Sequence, residues 1–208
     1  MIRVGIADDQ HLLRQGVKRI LENAHHIETV FEAETGWELL QRVECDVAIM
    51  DVSMPGPGFV ETLGRLQRLH PTVGTLVLSM HPEESYGLRA LKAGALGYLN
   101  KTVIPEELLR AVQAVAMGRR YLTHSFSEAL VLGLLDDQER AQHESLSNRE
   151  FEVLRLVGAG STTAEIAQIL SISPKTVHTY TARIKNKMGF ASTAAAIRYA
   201  LENDLVGD

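Results

Sequence analysis

The chain has 208 residues, a formal net charge of −5, 45% hydrophobic residues and 23% charged residues. This composition is typical of a globular protein with one large or two small domains, and it excludes a generally basic nucleic-acid coat, although an average does not exclude a local basic patch. Cys45 is the single cysteine, so an intramolecular disulfide is excluded and a reducing compartment is favoured.

The N-terminal sequence, MIRVGIADD, lacks the charged-then-apolar pattern of a signal peptide. No apolar run approaches the roughly 20 residues that a membrane helix needs. We therefore expect a cytoplasmic protein.

Residues 1–122 alternate between two periodicities. Short β-rich runs predict strands, and a helical pattern follows each of them. Pro82 and Pro105 mark helix starts, and Gly94 and Gly118 lie just past helix ends. Five strands alternating with five helices predict an α/β domain with a parallel, doubly wound sheet covered on both faces. The predicted strands are Ile2–Ala7, Ile27–Ala33, Val47–Met50, Thr75–Ser79 and Gly97–Leu99.

Residues 123–144 have a different character. Phe126, Leu130 and Leu134 lie four residues apart, which predicts a short amphipathic helix, and a polar stretch (DDQERAQHES) follows. We interpret residues 123–144 as an inter-domain linker that is partly helical.

Residues 145–208 contain only helical patterns. Ser147-Asn-Arg-Glu150 and Thr162-Thr-Ala-Glu165 each fit a capping box, in which a hydroxyl and a carboxylate cap the first turn of a helix. Ser173-Pro174 is typical of a helix start, and Gly189 is typical of a helix end. Four helices in about 60 residues predict a small all-α domain.

Polar residues lie at four strand ends of the first domain. Asp8 and Asp9 follow the first strand, Asp51 follows the third, Ser79 ends the fourth and Lys101 follows the fifth. Ligands bind beyond the carboxyl ends of such strands, and three carboxylates there favour a hard cation such as Mg²⁺. With a metal bound, Asp51 could attack phosphorus as a nucleophile, Lys101 could stabilise the phosphoryl charge, and the Ser79 hydroxyl could bond a phosphoryl oxygen.

Each of these residues has a simpler interpretation when it is taken alone. An aspartate or serine after a strand is usually a helix cap or a turn residue, and a single lysine is usually solvated. All five residues on one rim of a sheet favour a phosphoryl-handling site.

The first domain contains the segments DDQHLLRQGVKRIL, DVSMPG, LVLSMH and GALGYLNK. These segments resemble the receiver domain of NarL/FixJ-type two-component response regulators. The resemblance covers almost the whole first domain and implies a five-stranded, flavodoxin-like receiver. It implies that a partner sensor histidine kinase phosphorylates Asp51. It also implies that Asp8, Asp9, Asp51 and the carbonyl of Ser53 bind Mg²⁺, and that Lys101 contacts the phosphoryl group.

The same resemblance implies a two-state switch made of Ser79 and Tyr98. When Ser79 turns toward the phosphoryl oxygen, space opens and Tyr98 rotates inward, so a local charge change biases a bistable packing element. The simpler interpretation of Tyr98 is a half-buried aromatic residue at a strand end.

The sequence departs from the family pattern after the turn Met54-Pro55-Gly56. Phe59 stands where a glycine is usual, and Gly58 lies one position earlier. We expect this departure to reshape the loop beside Asp51, and with it the phosphotransfer rate and kinase docking, without changing the chemistry.

The predicted helix Pro174–Met188 contains four basic residues and no acidic one. The turn Ser171-Ile172-Ser173 joins it to a preceding helix, which fits a helix-turn-helix, although charge alone fits a solvated basic helix in a small bundle equally well. The core face of the helix is predicted to hold Val177, Thr181, Ile184 and Met188.

The two capping boxes and the helix-turn-helix lie in one segment, LSNREFEVLRLVGAGSTTAEIAQILSISPKTVHTYTARIKNKMG. This segment strongly resembles a LuxR-type DNA-binding domain. The resemblance implies that the outward face of the second helix meets double-stranded DNA. Tyr180 replaces a common histidine and Ala182 takes a position that is often basic or polar, so we expect a different sequence preference. The implied DNA-facing residues are Lys175, Thr176, His178, Thr179 and Ala182, with Arg183, Lys185 and Lys187 nearer the backbone.

The last predicted helix runs from about Thr193 to Asp204 and carries Ala196, Ile197, Ala200 and Leu201 on one stripe. This face either closes the domain core or, as in LuxR-type domains, contacts a second copy of the chain. A homodimer would place two recognition helices about one turn of DNA apart.

The favoured hypothesis is a transcription factor controlled by phosphorylation of Asp51. It is not an enzyme in the usual sense, because its own chemistry is limited to accepting a phosphoryl group and losing it to water. One alternative is phosphorylation-independent DNA binding, with the receiver as a dimerisation or protein-interaction module. Another is a Mg²⁺-dependent phosphatase, which would need a further acid/base carboxylate where Ser53 stands.

Overall fold

The computed structural model of the chain describes residues 1–135, 142–170, 172–203 and 205–206. It divides into two compact units, Met1–Phe126 and Ser127–Asp208. Within those described ranges, no helix combines the length and the apolar character needed to cross a membrane. The predicted domain and linker boundaries after residues 122 and 144 stay predictions.

The first unit alternates strands with helices, as its sequence pattern predicts. Its strands are β1 (Ile2–Ala7), β2 (Ile27–Ala33), β3 (Val47–Met50), β4 (Gly74–Ser79) and β5 (Gly97–Asn100). Its helices are α1 (His11–Glu22), α2 (Gly36–Gln41), α3 (Phe59–Leu69), α4 (Glu83–Lys92) and α5 (Pro105–Ala116), and α6 (His124–Leu135) begins at its end.

The five strands form one parallel sheet in the order β2-β1-β3-β4-β5. Every residue of β3 and β4 is buried, which explains why these central strands are nearly continuous apolar runs. From β1 the chain first adds β2 on one side of the sheet and then β3, β4 and β5 on the other. A crevice therefore opens between the loops that follow β1 and β3, beyond their carboxyl ends. The predicted α/β, doubly wound parallel fold is therefore confirmed.

Proline and glycine fix most of the helix boundaries. Pro105 is the first residue of α5, and Gly94 and Gly118 follow α4 and α5 with φ angles of 107° and 69°, a region that favours glycine. Pro82 differs from the prediction by one residue. It keeps an extended ψ of 143° and serves as the N-cap of α4, which begins at Glu83.

The start of α6 belongs to the first unit. The Phe126 side chain is 1% exposed, and its ring lies so close to Gly87 of α4 that a methyl group added at this glycine would overlap the ring. The Thr123 hydroxyl donates to the Glu83 carboxylate and accepts from the Phe126 amide. The predicted helix in this region is thus present, and residues 136–141 of the polar stretch lie outside the described residues.

The regular elements that the structure describes in the second unit are all helices. After a 3₁₀ turn (Gln142–Ser145) it contains α7 (Asn148–Gly158), α8 (Thr163–Ile169), α9 (Pro174–Met188) and α10 (Thr193–Glu202). Both predicted capping boxes are present, at the starts of α7 and α8. Ser171 of the predicted turn and Asp204 of the predicted last helix lie outside the described residues.

We predict that Gly87→Ala destabilises the protein by about 1–3 kcal/mol, because a Cβ at this position overlaps a buried aromatic ring that has little room to move. Gly64→Ala is the matched control on α3, since a Cβ there meets no atom within 4 Å. The control should gain about 0.5–1 kcal/mol of helix stability. Urea unfolding of both variants measures the difference, and equal stabilities would contradict the packing described for Phe126.

Candidate functional sites

Three carboxylates meet at the carboxyl edge of the sheet. Asp8 and Asp9 follow β1, Asp51 follows β3, and one oxygen of each lies within 4.8 Å of the others. Asp8 and Asp51 are buried, whereas Asp9 is exposed. The structure therefore forms an acidic pocket with one side open to solvent.

A buried lysine lies among these carboxylates. The Nζ atom of Lys101 is 2.7 Å from Oδ2 of Asp8 and 3.4 Å from Oδ2 of Asp51, and its side chain is 3% exposed. These are ion pairs without the directed geometry of hydrogen bonds. Three carboxylates and one ammonium leave a charge of −2 if all four groups are ionised, which equals the charge that one divalent cation would neutralise.

The carboxyl groups of Asp51 and Asp9 lie where ionisation is less favourable than in water. Burial raises the pKa of Asp51, and the neighbouring Asp8 raises it further, while Lys101 lowers it. Burial and Asp8 also raise the pKa of Asp9. The pocket thus favours an added positive charge, which would stabilise the ionised carboxylates.

Backbone groups fix the pocket's side chains. The Gln10 amide donates to Oδ1 of Asp8 at 2.8 Å, and the Ser53 amide donates to Oδ2 of Asp51 at 3.3 Å. The Lys101 amide donates to the carbonyl of Ser79 at 2.8 Å, so the loop after β5 is tied to the end of β4. These contacts bring all five predicted strand-end residues to one rim.

Ser79 and Tyr98 are both completely buried, so the half-buried interpretation of Tyr98 is wrong. The Tyr98 hydroxyl donates to the carbonyl of His81 at 3.0 Å. The Ser79 hydroxyl accepts from the His81 amide at 3.2 Å. Burial raises the pKa of Tyr98 well above its usual range, although its hydrogen bond with Ser79 opposes this.

His81 also contributes to this rim, although no sequence motif indicated it. Its ring is 3% exposed, lies 3.2 Å from the Ser53 hydroxyl through Nε2, and stacks on Tyr86 with ring centroids 4.4 Å apart. His81 therefore connects the loop after β3 with the loop after β4. Its position two residues past a predicted strand end was the available signal.

Phe59, the departure from the family pattern, is the first residue of α3. Its side chain is buried, and its ring lies 5.9 Å from that of Tyr86 in a tilted arrangement. Gly58 is the N-cap of the helix, and Gly56 has a φ of 118°. The aromatic ring thus packs against α4 from the first turn of α3, just past the loop beside Asp51.

The helix α9 presents the basic surface of the second unit. Val177, Ile184 and Met188 are buried as predicted, and Thr181 is half-buried, with its hydroxyl donating to the carbonyl of Val177. The residues expected to face DNA divide by exposure: Lys175, His178, Thr179, Ala182, Arg183 and Lys187 are exposed, and Thr176 and Lys185 are half-buried.

Lys187 differs from the other cations of this helix because it has an internal partner. Its Nζ lies 2.7 Å from Oε2 of Glu150, whose side chain is 3% exposed. The same Glu150 oxygen accepts from the amide and hydroxyl of Ser147 in the capping box of α7. Lys187 thus joins the end of α9 to the start of α7.

The predicted stripe on α10 is divided between core and surface. Ala196 and Ala200 are buried, and Ala200 packs against Gly158 of α7, where an added methyl group would come within 2.5 Å of the alanine Cβ. Leu201 is 57% exposed. The alanines therefore close the core, and Leu201 stays accessible.

Comparison with known proteins agrees with both halves of the chain. The family model of the response regulator receiver domain matches residues 4–113, and that of the bacterial regulatory proteins of the luxR family matches residues 144–200. The response regulator UvrY of Escherichia coli is 33% identical over 98% of this chain and 97% of its own length. The chain belongs to the NarL/FixJ-type response regulators.

Solved structures give the same result. RcsB of Salmonella typhimurium superposes with a TM-score of 0.79 and 26% identity, covering 98% of both chains. A structure of RcsB bound to a promoter in the presence of a phosphomimetic has a TM-score of 0.73 at 27% identity, over 95% of this chain and 97% of that one. The predicted family, fold class and two-component response regulator function are confirmed, and such proteins are transcription factors rather than enzymes.

We predict that Lys187→Met destabilises this response regulator by about 1–2 kcal/mol, because Glu150 would lose its charged partner while remaining buried. Lys185→Met is the matched control on the same helix, and it should change stability by less than about 0.5 kcal/mol. Thermal unfolding measures both variants. If Lys187→Met is as stable as the control, the ion pair contributes nothing and Lys187 is available to DNA.

Proposed function

We propose that Asp51 of this response regulator accepts a phosphoryl group, and that this modification strengthens the binding of α9 to double-stranded DNA. The observation that carries the proposal is the pocket of Asp8, Asp9 and Asp51 with the buried Lys101. A nucleophilic carboxylate, further acidic ligands and a fixed cation are the groups that phosphoryl transfer requires.

The pocket suits Mg²⁺ because its donors are oxygens and its net charge matches one divalent cation. Asp8, Asp9 and Asp51 would hold the ion together with the carbonyl of Ser53. When bound, it would neutralise charge on the oxygens of the transferring group. Since Asp9 is exposed, the pocket leaves an open side by which the ion and the phosphodonor can enter.

In the proposed reaction, a carboxylate oxygen of Asp51 attacks the phosphorus of a sensor kinase's phosphohistidine or of a small phosphodonor. An oxygen–phosphorus bond forms, and the bond between phosphorus and the leaving group breaks with its electron pair going to the leaving group. The Lys101 side chain stabilises the added negative charge. Attack by water on the same phosphorus would return the free carboxylate and release inorganic phosphate.

Hydrogen bonds and ring contacts around Ser79 connect the pocket with α4. Its hydroxyl is engaged with the His81 amide, and the His81 carbonyl accepts from Tyr98. A phosphoryl oxygen on Asp51 would compete for the Ser79 hydroxyl. The hydrogen bonds around His81 and Tyr98 would then rearrange, and α4 carries Tyr86 directly against the His81 ring.

On the DNA side, α9 supplies cations for the phosphate backbone and small polar groups for base edges. The exposed Lys175, His178, Thr179, Ala182 and Arg183 form the proposed surface, with Thr176 and Lys185 at its margin. Lys187 is proposed as a margin residue as well, because part of its charge is engaged by Glu150. The similar protein RcsB has been solved bound to a promoter, which supports DNA binding by this chain.

We further propose that the active form is a homodimer, which would place two copies of α9 on a two-fold-related site. The exposed Leu201 of α10 is available for such a contact. Binding to promoter DNA and phosphorylation by a kinase imply action in the cytoplasm.

The proposal predicts that acetyl phosphate with Mg²⁺ tightens DNA binding by about tenfold, a typical coupling between two sites. Wild type, Asp51→Ala and Ser79→Ala are compared at fixed salt and protein concentration, with DNA selected from a random pool. Asp51→Ala should not respond. Ser79→Ala should accept the phosphoryl group but respond weakly, because the chemistry is kept and the hydroxyl of the switch is lost.

Equal DNA binding by all three proteins, with and without acetyl phosphate, would contradict the switch. The receiver would then act as an interaction module. Lys175→Ala separates the DNA surface from the switch, since it should weaken binding in both states.

A further inference from the structure

The side chain of Arg14 is a buried cation outside the carboxylate pocket. It comes from the first turns of α1, and it is 5% exposed. Such burial is uncommon for arginine unless its guanidinium is fully partnered. Three partners are present, and they belong to different parts of the first unit.

The three contacts use separate nitrogen atoms of the guanidinium. Nη1 donates to the backbone carbonyl of Asp8 at 2.5 Å. Nε donates to Oε2 of Glu32 on β2 at 2.9 Å, and Nη2 donates to Oε1 of Glu34, just after β2, also at 2.9 Å. Because the guanidinium is planar and rigid, the two carboxylates fix the direction in which Nη1 points.

Glu32 itself is held by other groups. Lys18 donates to its Oε1 at 2.9 Å, and Gln15 donates to its Oε2 at 2.7 Å. Hydrogen bonding from Lys18 lowers the pKa of Glu32, so this carboxylate remains a charged anchor at neutral pH. The platform under Arg14 is therefore rigid and independent of the pocket.

The contact with the Asp8 carbonyl bears directly on the pocket. The Asp8 side chain is already fixed by the Gln10 amide at one oxygen and by Lys101 at the other. Arg14 fixes the carbonyl of the same residue, and hence the plane of the Asp8–Asp9 peptide. The exposed Asp9 side chain is attached to the Cα atom that follows this peptide. The orientation of the peptide therefore sets where the Asp9 carboxylate points.

We propose that Arg14 is a positioning residue for the metal site: its guanidinium orients the Asp8–Asp9 peptide so that both carboxylates face Asp51. The proposal rests on the proposed function, namely that the acidic pocket binds Mg²⁺. Groups that orient metal ligands from outside typically change metal affinity by about 10–100-fold when they are removed. If Arg14 served only to join α1 to β2, its removal would lower the stability of the protein without changing its affinity for the metal.

Urea unfolding of the full chain at a series of MgCl₂ concentrations separates these two roles. The stability of each variant without Mg²⁺ measures how much the side chain contributes to joining α1 and β2. The rise in stability with added Mg²⁺ gives the Mg²⁺ dissociation constant of the folded protein. Lys18→Met is the matched control, because Glu32 keeps its hydrogen bonds from Gln15 and Arg14 without Lys18, and Lys18 does not touch the Asp8 carbonyl. We expect Arg14→Met to raise the Mg²⁺ dissociation constant at least tenfold, and Lys18→Met to leave it within twofold of wild type.

Arg14→Lys provides a second variant if Arg14→Met does not fold. It keeps the charge but cannot bridge three acceptors with a fixed fork, so the dissociation constant should still rise severalfold. Arg14 variants that lose stability but bind Mg²⁺ like Lys18→Met would overturn the positioning role and leave only the joining of α1 to β2. A wild type that Mg²⁺ does not stabilise would overturn the metal site, and the role of Arg14 with it.

Discussion

The buried ammonium of Lys101 is the interaction on which the first unit's chemistry depends. Without it, Asp8 and Asp51 would be two buried carboxylates in one crevice, and protonation would relieve their repulsion. With the Lys101 ammonium in place, the pocket keeps a residual negative charge that favours a divalent cation. Asp51 can also remain an ionised nucleophile. The cost of burying these charges is the kind of local destabilisation that functional sites retain for the sake of activity.

The fold explains how such a pocket connects with the rest of the chain. Parallel strands bring loops from β1, β3, β4 and β5 to one rim. The Ser53 amide donates to Asp51, the Ser53 hydroxyl meets the His81 ring, and the His81 amide donates to Ser79. His81 in turn stacks on Tyr86 of α4, and α4 holds the first turn of α6 through Phe126. A continuous set of packed groups therefore runs from the pocket to the start of the helix that leaves the first unit.

Local patterns predicted the strands, the capping boxes and the rim residues, because periodicity and helix-end chemistry depend on near neighbours in the sequence. They did not predict His81 on Ser53, Arg14 on the Asp8 carbonyl, or Lys187 on Glu150, which lies 37 positions away. Each of these contacts depends on how separate elements pack. Lys187 shows the consequence: the resemblance to LuxR-type domains implied a cation near the DNA backbone, whereas packing gives Lys187 a buried internal partner.

Intact-protein mass spectrometry can show whether Asp51 is the nucleophile of a cation-dependent pocket. Wild type and Asp51→Asn are incubated with acetyl phosphate, in MgCl₂ or in EDTA, and the mass is followed with time. We expect one added phosphoryl group per chain in wild type, only with Mg²⁺, mapping to Asp51 and absent from Asp51→Asn. Equal labelling of Asp51→Asn, or labelling of wild type in EDTA at the same rate, would contradict it.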